Sequence, residues 1–290
     1  MKRLLCLLIF ALLLPAGALA SEEIALLEEL SVTPLVQQPG LRTYRVEVMT
    51  ETISEMLGAM TANIPENMPR PKTPKIVKYW SADPSGSVFI AEGSETFPYM
   101  QEMVDRFSSE LAVNINSFFL PPSKAQARAK RLEGTRLSKS SMELGESLIQ
   151  SVSIEFPSPA SLDGAFYGEG LELPQDGIVK LRFDIARDPL RIIRMDIFLA
   201  DGQPRMLEMR FTRREDDLLP EEIRISNPAG SIDDRFYMRF ASVSGFMLPT
   251  EQRRVLNRSG AKEEMLVEFR DYAVNEPLPG SVLKKIQLSR

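Results

Sequence analysis

The sequence predicts a mostly β, α+β fold: one large curved antiparallel sheet, a half-barrel, with helices covering its concave apolar face. Three observations predict it. After Gly134 the chain alternates apolar and polar residues at the two-residue period of a strand. The alternating stretches follow one another at hairpin spacing. The strong helical periodicity lies in the N-terminal half. A meander of seven or so such strands has one apolar and one solvated face, and amphipathic helices at 53–64 and 98–119 are the cover available for the apolar one.

The elements follow in chain order. Lys2 and Arg3 precede an apolar run from Leu4 to Leu14, then Pro15, Gly17 and Ala18-Leu19-Ala20. That order is a secretory signal peptide cut after Ala20, which places the mature chain outside the cytoplasm. The run is short of the roughly 20 residues a membrane span takes, and no second run of that length follows, so no stable span is expected. Cys6 lies inside the run, away from the position a lipid-anchored cysteine would need. Residues 21–290 are then expected to form one domain with helical insertions near 53–64 and 98–131.

Residues 21–31 place Ile24, Leu26, Leu27 and Leu30 on one helical face. Residues 41–49 alternate, with Tyr44, Val46 and Val48 opposite Thr43, Arg45 and Glu47. Thr52-Ile53-Ser54-Glu55 fits a capping box for the helix over 53–64, and Pro65, Pro69, Pro71 and Pro74 make the next stretch a loop. Strands at 76–81 and 88–92 flank the turn Asp83-Pro84-Ser85-Gly86. Met100, Met103, Val104, Phe107, Leu111, Ile115 and Phe118 then line a long amphipathic helix ending before Pro121-Pro122. Ser123 is placed to cap a polar helix reaching Arg131. Strands are expected over 147–156, 178–185, 191–199, 205–213, around Ile223 and Ile225, around Phe236 to Phe240, and over 246–256 and 264–274.

Composition narrows the function. Without residues 1–20 the chain keeps 33 Lys and Arg against 40 Asp and Glu, a net charge of −7, with no basic stripe for a nucleic-acid backbone. The mature chain has no cysteine, and the whole sequence has no histidine. Disulfides, thiolate and imidazole metal sites and the Ser-His-Asp and Cys-His machineries are thereby removed. The acidic pairs Asp216-Asp217, Glu221-Glu222, Asp233-Asp234 and Glu263-Glu264 sit at hairpin turns. They suit solvated loops better than the paired carboxylates of a glycoside hydrolase. The arginines from Arg182 to Arg270 alternate with acidic residues, as cross-strand ion pairs do.

At the C-terminal end, Phe246-Met247-Leu248-Pro249-Thr250 opens a strand and Asn257-Arg258-Ser259-Gly260 turns it. Val267 to Asn275 returns, with Leu278-Pro279 just beyond, and Leu219-Pro220 precedes Ile223. Over residues 178–280 this resembles the LolA/LolB-like periplasmic lipoprotein-carrier superfamily. There a strand opening in Leu-Pro-Thr is followed by one ending in an aromatic or Asp, a hydrophobic residue and Asn. The proline-rich segment 65–74 and the long helix near 98–119 exceed a minimal carrier.

The resemblance implies a periplasmic carrier or sorting protein that holds acyl chains between a curved sheet and a helical lid, with no catalysis and no cofactor. Its partner would be a lipid or an acylated lipoprotein. The candidate lining is Met56, Met60, Met100, Met103, Phe107, Leu111, Phe183, Met195, Met209, Phe211, Phe236 and Met238; methionine suits a lining that must repack around a flexible ligand. Arg45, pointing away from Val46 and Val48, is the position to compare with the family's early-strand arginine and is a candidate polar latch. Two alternatives stay open: a module on the same fold that binds an envelope protein, and a carboxylate-based hydrolase.

Overall fold

The computed structural model describes residues 21–36, 38–51, 74–93, 113–144, 147–168, 170–214, 217–258 and 261–288, with Ser54, Glu55, Gly58, Ala59, Ala62, Gln101, Glu102, Val104 and Asp105. Helix α1 spans Glu22–Val32, α2 Ala125–Leu132 and α3 Gly280–Leu288. The strands are β1 Thr43–Thr50, β2 Lys75–Ala82, β3 Ser85–Glu92, β4 Arg136–Leu144, β5 Ser147–Ala160 and β6 Ile178–Arg187. They continue with β7 Leu190–Leu199, β8 Arg205–Arg214, β9 Asp217–Ser226, β10 Asp233–Val243, β11 Phe246–Arg258 and β12 Ala261–Val274.

Among the described residues these strands form a single open, curved antiparallel sheet in the order β3-β2-β1-β12-β11-β10-β9-β8-β7-β6-β5-β4. The order explains the cover. The chain leaves the sheet at one edge, β3, and re-enters at the other, β4. On the way it crosses the apolar face, where Val113, Ile115, Phe118, Phe119, Leu120 and Leu132 are buried against the strands. Leu26, Leu27 and Leu30 of α1 join the same cluster, as do Leu162, Phe166 and Tyr167 from the β5–β6 connection.

A segment that crosses a face cannot pair its backbone in the sheet, yet its buried N–H and C=O groups need partners. Leu120 N–H and Phe118 C=O pair with the backbone of Phe166 and Gly168, and a side-chain carboxamide serves Val113; other carboxamides clamp backbone elsewhere in the same way, each giving one donor and one acceptor. Gln252 accepts from the Val113 N–H at 3.0 Å and donates to its carbonyl at 2.9 Å. Asn116 accepts from the Val36 N–H at 2.9 Å and donates to the Val36 carbonyl at 3.4 Å. Gln38 does the same for Met247, at 3.1 and 2.6 Å. Gln101 reaches the outer edge of β3, accepting from Ala91 N–H at 3.0 Å and donating to the Phe89 carbonyl at 3.1 Å.

Two hairpins are built alike. Met209-Arg210-Phe211 in β8 and Met238-Arg239-Phe240 in β10 are each followed by Leu-Pro, at 219–220 and 248–249. Both prolines stand opposite the phenylalanine, where the register shifts. A proline cannot donate to the ladder, so a bulge is where an inner strand tolerates one. The C-terminal Asn275 closes the sheet beside β1: its side-chain carbonyl accepts from Arg42 N–H at 2.7 Å, and its own N–H donates to Thr43 O at 2.8 Å.

Several expectations change. Among the described residues nine strands follow Gly134, one more than the eight stretches expected, because β4 is a polar edge strand without apolar alternation; β9 and β10 also run longer than their apolar residues suggest. The helix expected to reach Phe119 does not continue through residues 113–119: Asn114 is extended and Ile115–Ser117 is a 3-10 turn. Ile115 and Phe118 are buried all the same, so the apolar spacing there marks the core rather than a helix. Ser123 does not cap α2; it lies in a 3-10 turn, Pro122–Lys124, that leads into Ala125. Helix α3 is an addition, opened by Pro279, whose carbonyl accepts from Val282 and Leu283 N–H. It covers the other face of the sheet, with Val282 and Ile286 against Val77 and Tyr79. The signal segment, most of the 53–64 helix and most of residues 98–111 lie outside the described residues.

Candidate functional site

The apolar face carries two clusters. The larger runs over β5 to β10 under α1 and the crossing segment. The smaller joins Tyr44, Val46 and Val48 of β1 to Ile76, Phe89 and Ala91 of β2 and β3, Leu248 of β11, and Val267 and Phe269 of β12. Cross-strand register fixes which side chains share this face, since directly paired residues point the same way. Met238, Gln252, Val267 and Thr50 form one row across β10, β11, β12 and β1. Gln252 thus stands on the apolar face beside Met238, where its clamp on Val113 marks the join between the two clusters. Replacing Gln252 with alanine should cost about 2 kcal/mol, because a buried N–H and C=O lose their partners together. Urea denaturation would measure it, and a midpoint unchanged from wild type would contradict the assignment.

The row beside it holds Val48, Ile76 and Ala91, and the row after that Val46, Lys78 and Phe89. Lys78 is therefore a cation on the apolar face, 5 % exposed. Its Nζ lies 5.5 Å from the centroid of the Phe89 ring. No carboxylate or hydrogen-bond acceptor reaches it among the described residues, and burial alone pushes its ammonium down to about 8. The next row places Tyr44 beside Trp80, with rings stacked at 5.4 Å; Tyr272 meets Tyr44 edge-on at 5.7 Å. Burial raises the Tyr44 and Tyr272 hydroxyls well above the usual tyrosine range. The Tyr272 hydroxyl donates to the Pro249 carbonyl at 2.5 Å.

Of the residues singled out in the sequence, Phe183, Met195, Met209, Phe236 and Met238 come together in the larger cluster, and Phe211 packs against it. Phe183 and Met195 are fully buried under the chain's own cover. Met56, Met60, Met100, Met103, Phe107 and Leu111 lie outside the described residues. Arg45 is on the other face. It donates to Glu92 at 2.7 Å, and the Tyr79 hydroxyl donates to the same carboxylate. Burial pushes the Glu92 carboxyl up, but these two partners outweigh it and hold the group below its usual range.

Sequence reasoning does not single out Lys78. Its one signal is the segment Ile76-Val77-Lys78-Tyr79-Trp80, where both faces of the strand are apolar and one position is a lysine.

Acidic residues and arginines form ion pairs on the outer face. Asp196 takes Arg182 at 2.7 Å and Arg194 at 2.8 Å, and buried Glu222 takes Arg210 at 3.0 Å and Arg235 at 3.5 Å. Among the described residues no group of three or more acidic side chains is placed to hold a metal ion, and no helix is long and apolar enough to cross a membrane.

No protein-family model matches the chain, and no curated protein matches it in sequence. Three solved structures are similar over most of its length. A LolA superfamily protein from Nitrosomonas europaea is 8 % identical, covering 89 % of this chain and 96 % of its own, with a TM-score of 0.30. A domain described as a putative outer membrane lipoprotein-sorting protein domain, from Vibrio parahaemolyticus, is 8 % identical over 86 % and 90 %, with a TM-score of 0.30. A DUF1329 family protein from Desulfovibrio piger is 11 % identical over 92 % and 99 %, with a TM-score of 0.33.

Proposed function

We propose that this protein is a periplasmic carrier that binds the acyl part of a lipid or lipoprotein on the apolar face of its sheet, in the part formed by β1–β3 and β10–β12. The observation that carries the reading is the division of the face. Over β5 to β10 it is covered by named elements of the chain itself, with side chains interleaved as in an ordinary core. Over β1–β3 the cluster of Val46, Val48, Ile76 and Phe89 is buried as well, with Leu41 and Val104 packed into it, but it also holds a cation that no described carboxylate pairs, which is a poor composition for a core and a workable one for a site. The resemblance of residues 178–280 to lipoprotein carriers and the export signature at 1–20 support the same reading. Affinity would come from apolar burial, worth about 0.8 kcal/mol for each methylene removed from water. No bond is made or broken.

Native mass spectrometry of the chain purified from the periplasm, followed by solvent extraction, tests the proposal. The expected result is a lipid-sized mass adduct that extraction removes and an added fatty acid restores. A protein that stays at its bare mass in both steps would refute it.

A further inference from the structure

We infer that the ligand is an amphiphile with an anionic headgroup, a carboxylate or a phosphate, and that Lys78 is the residue that pairs with it. This rests on the carrier reading above and specifies its ligand class. The inference stands on placement. Lys78 sits between Val46 and Phe89 in one cross-strand row, with Ile76 and Trp80 to either side along β2 on the same face. Its side chain is buried within this apolar cluster, and no described carboxylate answers it.

Other buried charges among the described residues have partners. Arg128, fully buried, binds Glu28. Arg254, on the same apolar face, lies 2.7 Å from Glu172. Asp196 and Glu222 each hold two arginines. An ammonium in an apolar setting is costly unless an anion joins it. Even with its pKa depressed, this one remains mostly protonated at neutral pH. A headgroup at Lys78 would bring the attached chain against Val46, Val48, Ile76 and Phe269, which lie buried with Leu41 and Val104 in the same cluster, so the chain would enter by displacing part of that packing.

The test compares cis-parinaric acid with its methyl ester by fluorescence titration of the full mature chain. The acid should bind about tenfold tighter than the ester, the difference one satisfied charge makes. Lys78→Met should bring the two to equal affinity, and Lys78→Arg should keep the preference, which separates loss of charge from loss of fold. Inorganic phosphate alone, added as competitor, should displace the acid weakly; displacement as strong as by a fatty acid would mean a small-anion site and overturn the inference. Equal binding of acid and ester by the wild type, or a preference that survives Lys78→Met, would overturn the anionic headgroup and leave the carrier reading standing. Binding of neither probe would overturn both.

Discussion

Arg128→Ala should destabilise the protein by about 3–5 kcal/mol, the scale of breaking a buried charge network by removing one partner. Among the described residues Arg128 is the largest fully buried side chain. From α2 it reaches three other parts of the cover. Its Nε and Nη2 donate to the two Glu28 oxygens of α1 at 3.1 and 3.2 Å. Its Nη1 donates to the Pro121 carbonyl and to the Ala165 carbonyl, both at 3.2 Å. Alanine would take the Arg128 donor from the buried Ala165 carbonyl, while the Pro121 carbonyl keeps the Lys124 N–H at 3.0 Å, and would open a cavity among α1, α2 and the β5–β6 connection. Glu28, whose side chain is 42 % exposed, would rehydrate and limit the loss. Arg128→Lys keeps the charge but not the planar fork that reaches four oxygens at once, so its loss should be intermediate. Urea denaturation measures both variants. Amide exchange should accelerate first in α1, because Arg128 is what ties that helix to the crossing segment.

Lys78→Met is expected to act in the opposite direction, raising stability by about 3 kcal/mol at pH 7. The folded state holds the ammonium near 8 instead of 10.5, and each tenfold loss of proton affinity is worth about 1.4 kcal/mol. The sign follows from proton uptake. Between about pH 8 and 10.5 the unfolded chain binds this proton and the folded chain does not, so the folded state gains stability as pH rises through that window. Below pH 8 the penalty is present in full. The advantage of the methionine variant should therefore be largest at neutral pH and shrink as pH approaches 10. Tyr44, whose proton the fold retains more tightly, lowers stability above about pH 10 in both proteins and cancels in the difference. Denaturation at pH 7 and pH 10 checks this; a variant less stable than wild type at both would mean the cation is satisfied in the free protein. A more stable variant that also loses the preference for an acid over its ester would show a residue kept for binding at the expense of the fold.

Much of the sheet is legible in the sequence because β1, β6, β7, β8 and β12 have one apolar and one solvated face, and period two reports that directly. Three things are not. Strand β4 is an edge that buries little, so Arg136–Leu144 carries no alternation to read. The order that sets β1 beside β12 depends on contacts some 220 residues apart in sequence, as between Val48 and Phe269, which no local pattern encodes. Helix α3 has only Val282 and Ile286 as buried anchors, too few for a clear period.

The site is legible in part. The apolar strand residues from Phe183 to Met238 do gather on one face, as their spacing implies. Their density under α1 and the crossing segment depends on where residues 113–132 and 161–173 run, and that is a property of the topology. Lys78 carries only one weak local sign of its role, a strand apolar on both faces, because a lysine in a strand ordinarily marks the solvated face; the register, which seats it between Val46 and Phe89, is what places it inward. Arg45 shows the converse. Its alternation with Val46 does put it on the outward side of β1, and that side is the one α3 helps to cover.

The central claim is that an acyl chain lies on the apolar face of β1–β3 and β10–β12. A diazirine-bearing palmitic acid, bound to the delipidated mature protein, photolysed and mapped by peptide mass spectrometry, tests it most directly. The account predicts labelling concentrated on peptides carrying Val46, Ile76, Phe89 and Phe269, competed away by unlabelled palmitate. Label spread over the outer face of β5–β9, or unaffected by competitor, would contradict it.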